Sequence, residues 1–251
     1  MRAAKPLALV AFALAGLAST SLTVADGSFG GALDLVSDSI YRGISQTCGA
    51  PAAQADVHFR SAAGQAVSES FVGLWGSAGL GDSPCRRAQE VNVYAGHTFE
   101  TGQDSNTTLT YTHFAYPGNG GALARQGTRY AYDELGASWA FRDELYLTVG
   151  FTPDAAQYQS YGVERNRRAL FYGVQWHRPL IAALTVSAGL GYDEILDPTG
   201  TGYGFWNAGL GYTLAAFEFG LVYVRTAGRA ERLFGPEVAG GRVAATALWR
   251  F

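Results

Sequence analysis

Acids and bases recur in this sequence at every second position of short segments, a spacing that places them on one wall of a β-strand. Asp34, Asp38 and Arg42 share a phase, as do Asp56, His58 and Arg60. Glu90 with Asn92, Glu134, Gln175 with His177, Glu218, and Arg242 with Arg250 belong to the same class. Side chains of mixed sign on one wall can brace one another through ion pairs, and they can also form a constriction that selects a polar solute. Other chemistries have less to build on. No cluster has metal-ligand spacing. Glycine-rich runs such as Gly189-Leu-Gly191 are followed by no helix, so they are strand glycines and not phosphate loops. We expect no cofactor, no metal and no catalysis.

The elements that must carry this wall are strands. Alternating segments fall at about Ala32 to Arg42, Ala52 to Ser61, Glu69 to Ser77, Gln89 to Phe99, Asn106 to Ala115 and Tyr132 to Phe141. Six more follow, at about Leu145 to Thr152, Arg168 to Arg178, Leu184 to Tyr192, Gly204 to Thr213, Ala216 to Val224 and Gly241 to Phe251. The connections alternate in length. Short ones lie at 62–68, 100–105, 142–143, 179–183 and 214–215, and longer ones at 43–51, 78–88, 116–131, 153–167, 193–203 and 225–240. Short turns at one end and long loops at the other are the rule for an outer-membrane barrel, and a soluble sandwich has no reason to follow it. The reading is therefore all-β: a transmembrane, antiparallel, up-and-down barrel of about twelve strands.

Face composition agrees. Leu145, Leu147, Val149 and Phe151 alternate with Tyr146, Thr148 and Gly150, and Trp206, Ala208, Leu210 and Tyr212 alternate with Asn207, Gly209 and Gly211. The apolar set suits lipid, and the small polar set suits a wet lumen. A charge on the lipid face costs about 2 to 4 kcal/mol for Arg at midplane, so the charged wall is expected inside, lining a pore.

The chain opens with Met1-Arg-Ala-Ala-Lys5, an apolar run to Leu17 and small residues up to Ala25. We expect a signal peptide over 1–25 and a barrel domain over 26–251. Without Arg2 and Lys5, 16 basic residues stand against 21 acidic ones, which argues against a nucleic-acid partner. No later apolar run approaches the roughly 18 residues of a membrane helix, whereas aromatics make up 13% and glycines 33 of 251 residues. Cys48 and Cys85 fall in the first two long loops, on one side of the expected barrel, and a disulfide between them is expected.

The last strand ends on Phe251 and resembles the closing strand of outer-membrane barrels, whose terminal Phe is read by the barrel-assembly machinery. A more specific resemblance begins at Val36-Ser-Asp-Ser-Ile-Tyr-Arg-Gly-Ile-Ser-Gln46 with Pro51-Ala-Ala-Gln54. It is similar to the S-D-Y-x-[FY]-R-G-I-S-Q…P-A-x-Q opening of the TorF family of porins, also catalogued as the Gcw_chp proteobacterial outer-membrane family. Phe71-Val-Gly-Leu-Trp75, Glu90-Val-Asn-Val-Tyr-Ala-Gly96, Tyr116-Pro-Gly118, Tyr132-Asp-Glu134 and Phe151-Thr-Pro-Asp154 continue it in order. Ser39 departs from the usual aromatic and Asn92 from the usual Asp. The resemblance implies an outer-membrane, pore-like protein of a Gram-negative bacterium and no particular solute.

Barrels of twelve strands also include a lipid hydrolase with a His-Ser-Asn site on its outer wall. Here the histidines are His58, His97, His113 and His177, and none precedes Ser and Asn; His97 and His113 fall on neighbouring strands, with Ser70 or Ser105 the nearest guess at a nucleophile. The long loops carry Arg86, Arg87, Arg125, Arg129, Arg165, Arg167, Arg168, Arg225, Arg229 and Arg232. Guanidinium forks there suit the phosphates of lipopolysaccharide or anionic solutes. The expected partners are outer-membrane lipid, lipopolysaccharide and a small hydrophilic solute diffusing passively. The alternative is a closed barrel that serves as an adhesin-like, surface-binding structure.

Overall fold

A computed structural model describes residues 22–24, 27–61, 68–80, 89–117, 131–153, 168–196 and 201–251. Among them, twelve antiparallel strands close into one barrel: β1 (Gly27–Val36), β2 (Ala52–Ser61), β3 (Glu69–Gly79), β4 (Gln89–Gly102), β5 (Ser105–Ala115), β6 (Ala131–Phe141), β7 (Leu145–Thr152), β8 (Arg168–Ile181), β9 (Leu184–Leu196), β10 (Gly202–Leu214), β11 (Phe217–Thr226) and β12 (Gly241–Arg250). Each pairs with its sequence neighbours. β12 returns to β1 from Thr246 opposite Val36 to Arg250 opposite Ala32, and Phe251 exchanges backbone hydrogen bonds of 3.0 and 3.1 Å with Gly31. Next to that seam, a three-residue strand, Leu22–Val24, pairs with the start of β1. Residues of the expected signal peptide before Leu22 lie outside the described residues. No helix among the described residues is long and apolar enough to cross a membrane.

Period two decides which side chains meet the outside. Leu35, Leu74, Leu135, Leu190, Leu210 and Val243 are exposed on the outer wall, while Asp34, Glu134, Asn207 and Ala244, one residue out of phase with a neighbour, are buried. Aromatics gather in two rings on that wall. Tyr111, Tyr172, Tyr192, Trp206 and Tyr223 ring the long-loop end, and Phe99, Phe141, Phe217, Trp249 and Phe251 ring the other. From Val91 to Phe99 on β4 the wall rises roughly 20 Å at about 3.3 Å per residue and a tilt of about 40°, close to the ~25 Å apolar band of such barrels.

The turns keep the expected parity, with one exception. Short connections at 103–104, 142–144, 182–183 and 215–216 share one end. Arg142 and Asp143 both take left-handed backbone (φ 56° and 54°), the twist a tight hairpin prefers, although neither is glycine. At the other end the connection expected over 193–203 shrinks to 197–201, because β9 and β10 run on to Leu196 and back from Gly202. The connection after β11 contains a helix, α1 (Gly228–Phe234), that was not expected.

The first strand is a correction. Expected at Ala32 to Arg42, it runs five residues earlier, and the chain leaves the wall after Val36. Residues 40–45 instead form a small hairpin, Ile40–Tyr41 paired with Ile44–Ser45, turning at Arg42 and Gly43 (φ 49° and 80°). The alternation in sequence persists past β1 because the hairpin folds into the barrel and is itself packed on both sides. Ile44 joins Phe171, Ile195, Tyr203, Phe205, Phe234 and Val238 in a buried cluster that fills the long-loop end.

Because Leu210 sits at mid-wall opposite Val186 and Leu221, Leu210→Arg puts a charge into the apolar band. We expect a loss of about 2 to 4 kcal/mol. Ser187→Arg, facing inward one residue away, costs far less. Thermal unfolding of the two variants in detergent micelles, followed by heat-modifiable gel mobility, checks the difference.

Candidate functional site

The barrel interior is packed unevenly. Its long-loop half is packed by the hairpin, and the centre of that packing is Arg42. One guanidinium nitrogen, Nη2, donates to both oxygens of Glu134 on β6 (2.7 and 2.6 Å), and Nη1 donates to Asp193 on β9 at 3.4 Å. The cation lies 4.1 Å above the Phe171 ring and 4.8 Å from that of Tyr41. Thr152 on β7 also donates to Glu134 Oε2, at 3.1 Å. Arg42 is 2% exposed, so its charge is held by these carboxylates and rings and not by water. Burial alone would lower its proton affinity, but Glu134, Tyr41 and Asp193 outweigh that and raise it.

The foot of the hairpin is tied separately. Arg242 on β12 donates to Asp38 Oδ2 at 2.9 Å, and Thr47 Oγ1 donates to Asp38 Oδ1 at 3.0 Å, with Ser45 donating to the same oxygen. Gln54 reaches Ser39 at 3.1 Å. Asp38 and Arg42 thus stand inside the barrel from the hairpin and not from β1, which corrects the shared strand phase expected with Asp34.

The remaining charged positions stand on the strand walls. Asp56 accepts from Tyr94 at 2.6 Å and lies 2.6 Å from His58 Nδ1; Asn92 donates to Glu90 at 2.7 Å. Gln175 and Asn207 exchange bonds of 3.3 Å across the lumen wall. Arg250 pairs with Glu218, and Arg60 lies 3.9 Å from Glu69. His177 is half-buried, edge-on to Tyr146, and Asp34 is buried beside the β12 seam. On β7 and β9 to β12 a run of inward residues is small, Thr148, Thr185, Ser187, Gly209, Gly220 and Thr246, all partly exposed, whereas Arg60, Glu69, Tyr146, His177, Glu218 and Arg250 stand close to the short turns. Asp193, Thr152, Phe171 and Tyr94 were not expected in the site. Asp193 shares the inward phase of Ser187 and Gly189, so extending β9 by one turn of the pattern would have found it.

On the outer wall, His97 lies between Ser68 (2.5 Å) and Ser70 (2.7 Å), and His113 meets Asp133 (2.8 Å), which also accepts from Tyr111. The first group has hydroxyls with no carboxylate, and the second a carboxylate with no serine. No group of three or more His, Cys, Asp or Glu among the described residues could hold a metal ion. Of the loop arginines, Arg168, Arg225, Arg229 and Arg232 are exposed at the long-loop end. Arg86, Arg87, Arg125, Arg129, Arg165 and Arg167 lie outside the described residues, as does Cys85. Cys48 is described, and no cysteine there is a free thiol.

The family model described as "Bacterial protein of unknown function (Gcw_chp)" matches residues 23–248. No curated protein matches the sequence. Among solved structures, a chain reported under in-meso crystallization of membrane proteins is 12% identical with a TM-score of 0.52, covering 88% of this chain and 83% of its own. The porin NanC is 7% identical with a TM-score of 0.49 (88% and 98% covered), and Salmonella typhi OmpF is 9% identical with a TM-score of 0.47 (92% and 100% covered). At these identities the likeness is one of fold.

Glu134→Ala leaves Arg42 buried with its main counter-charge gone. Loss of one partner of a buried pair costs about 3 to 5 kcal/mol, limited here by release of the hairpin. We expect trypsin to cut after Arg42 in the variant and to spare that bond in the parent, as read by mass spectrometry of the digests.

Proposed function

This chain belongs to the Gcw_chp family of bacterial proteins, and we propose that it forms an outer-membrane channel of a Gram-negative cell, passing small hydrophilic solutes passively and restricted by its own first loop. The supporting observation is the contrast between the interior packed by the hairpin and a stretch of wall that carries only small side chains. A barrel needed only as a rigid post would fill with bulky side chains throughout. Here β7 and β9 to β12 carry threonine, serine and glycine at Thr148, Thr185, Ser187, Gly209, Gly220 and Thr246, which leave room for water or solute. The charged walls, Asp34, Asp56, His58, Arg60, Glu90, Asn92, Glu134, Gln175, His177, Glu218 and Arg250, with Asp38, Arg42 and Arg242 at the hairpin, would line the path. The porin name TorF, suggested by the Val36 to Gln46 motif, belongs to this proposal, as does the orientation with long loops outward. There the exposed Arg168, Arg225, Arg229 and Arg232 would meet lipopolysaccharide phosphates. We assign no catalysis to the outer-wall histidines.

A second reading, a closed barrel that binds at the cell surface, is favoured by the tight packing of the hairpin. Planar-bilayer recordings separate the two. The parent protein should show small or infrequent discrete steps, and replacing residues 38–47 by a short glycine linker should raise the conductance at least several-fold. A folded barrel that stays silent after that replacement would favour the surface-binding reading.

We further propose that Cys48 pairs with Cys85, tying the first long loop to the second. A pair closing a loop of this length contributes about 3 to 4 kcal/mol. Peptide mapping without reduction should recover the two cysteines in one linked fragment, and reduction should lower the unfolding midpoint.

A further inference from the structure

The carboxylates that hold Arg42 and the nearer of its two rings come from the barrel wall, whereas Arg42 and the second ring, Tyr41, come from the hairpin. Glu134 comes from β6, Gly150 and Thr152 from β7, Phe171 from β8 and Asp193 from β9, four consecutive strands. Together they present what a guanidinium requires: two carboxylates at the ends of its fork and an aromatic face beneath its plane. Gly150 contributes by what it lacks. A Cβ there would stand 3.0 Å from Glu134 Oε1 and 3.2 Å from Arg42 Nη2, so the glycine keeps open the space the cation occupies. The occupant, by contrast, arrives on a two-residue turn whose backbone is left-handed at a non-glycine position. Two buried carboxylates cannot be left without a cation. Any cation of the same shape meets their need.

We propose that this wall pocket is a binding site for guanidinium-bearing solutes, with Arg42 as a tethered stand-in that such a solute displaces. Displacement would release the hairpin at its tip while the Asp38–Arg242 pair holds its foot. This second step rests on the channel reading above; the pocket itself does not. The solute class is cationic, flat and able to donate in two directions, as methylguanidinium or the side chain of free arginine is. A simple amine would satisfy the charge but not the fork.

The test empties the pocket and offers the small cation back. Arg42→Gly suits the left-handed backbone and removes the stand-in; Arg42→Gln serves if the glycine variant does not assemble. Millimolar methylguanidinium should raise the unfolding midpoint of the variant in micelles by several degrees. It should do so more than methylammonium, whereas neutral N-methylurea should not raise it. The doubly changed Arg42→Gly, Glu134→Gln protein should lose the response. In bilayers, methylguanidinium should block the current of the single variant. Thermal rescue with no current in any variant would keep the pocket and remove the channel. A conducting variant neither rescued nor blocked, or one rescued equally with Glu134 replaced, would overturn the pocket.

Discussion

The pairing of β12 with β1 is the interaction on which the other features depend. In hydrocarbon a strand with an open edge exposes amide groups that nothing can satisfy, so the sheet is viable only when its two ends meet. The meeting is short: the register runs from Thr246 opposite Val36 to Arg250 opposite Ala32, extended by the reciprocal bonds of Phe251 and Gly31. Once it forms, inside and outside are defined for all the strands at once, since period two fixes every side chain relative to the same cylinder.

Closure creates the problem the interior then solves. A ring of twelve strands is too wide for its own inward side chains to fill, least of all where these are glycine and threonine. The fold fills its interior unevenly. At one end the chain turns back in after Val36 and fills the lumen with Ile44, Tyr41 and a charged latch, capped by α1, whose Phe234 meets Tyr203 edge-on at 5.2 Å. On β7 and β9 to β12, by contrast, a stretch of the inner wall is left lean. The energetics of the filled half rest on carboxylates that are expensive to bury and strongly bound once a fixed cation reaches them.

Sequence alternation made most of this fold readable, because a strand buried on one face and in lipid on the other writes its period directly. Where the reading went wrong, a second structure had borrowed the same period. Asp38 and Arg42 continue the phase of Asp34, yet they belong to a hairpin that is enclosed in its own right. The helix α1 carries Ala230, Leu233 and Phe234 at the three- and four-residue spacing of a buried helical face, a signal too short to stand out in a long loop. What no local pattern could supply is the destination of Arg42. Its partners lie 92 and 151 residues further along the chain, and only closure brings them within reach.

Those separations also describe where the latch stands on the ring. The hairpin leaves the wall between β1 and β2, its foot is bonded to β12, and its tip is bonded to β9, a quarter of the ring away, and to β6, half the ring away. It is therefore a chord drawn across the cross-section, a strut in compression and tension between opposite walls. With the strut in place, the long-loop rim is kept from flattening into an ellipse as the surrounding membrane pushes on it. The short-turn rim has no such chord among the described residues and is left the more compliant end, so mechanical strain on the cylinder should collect there.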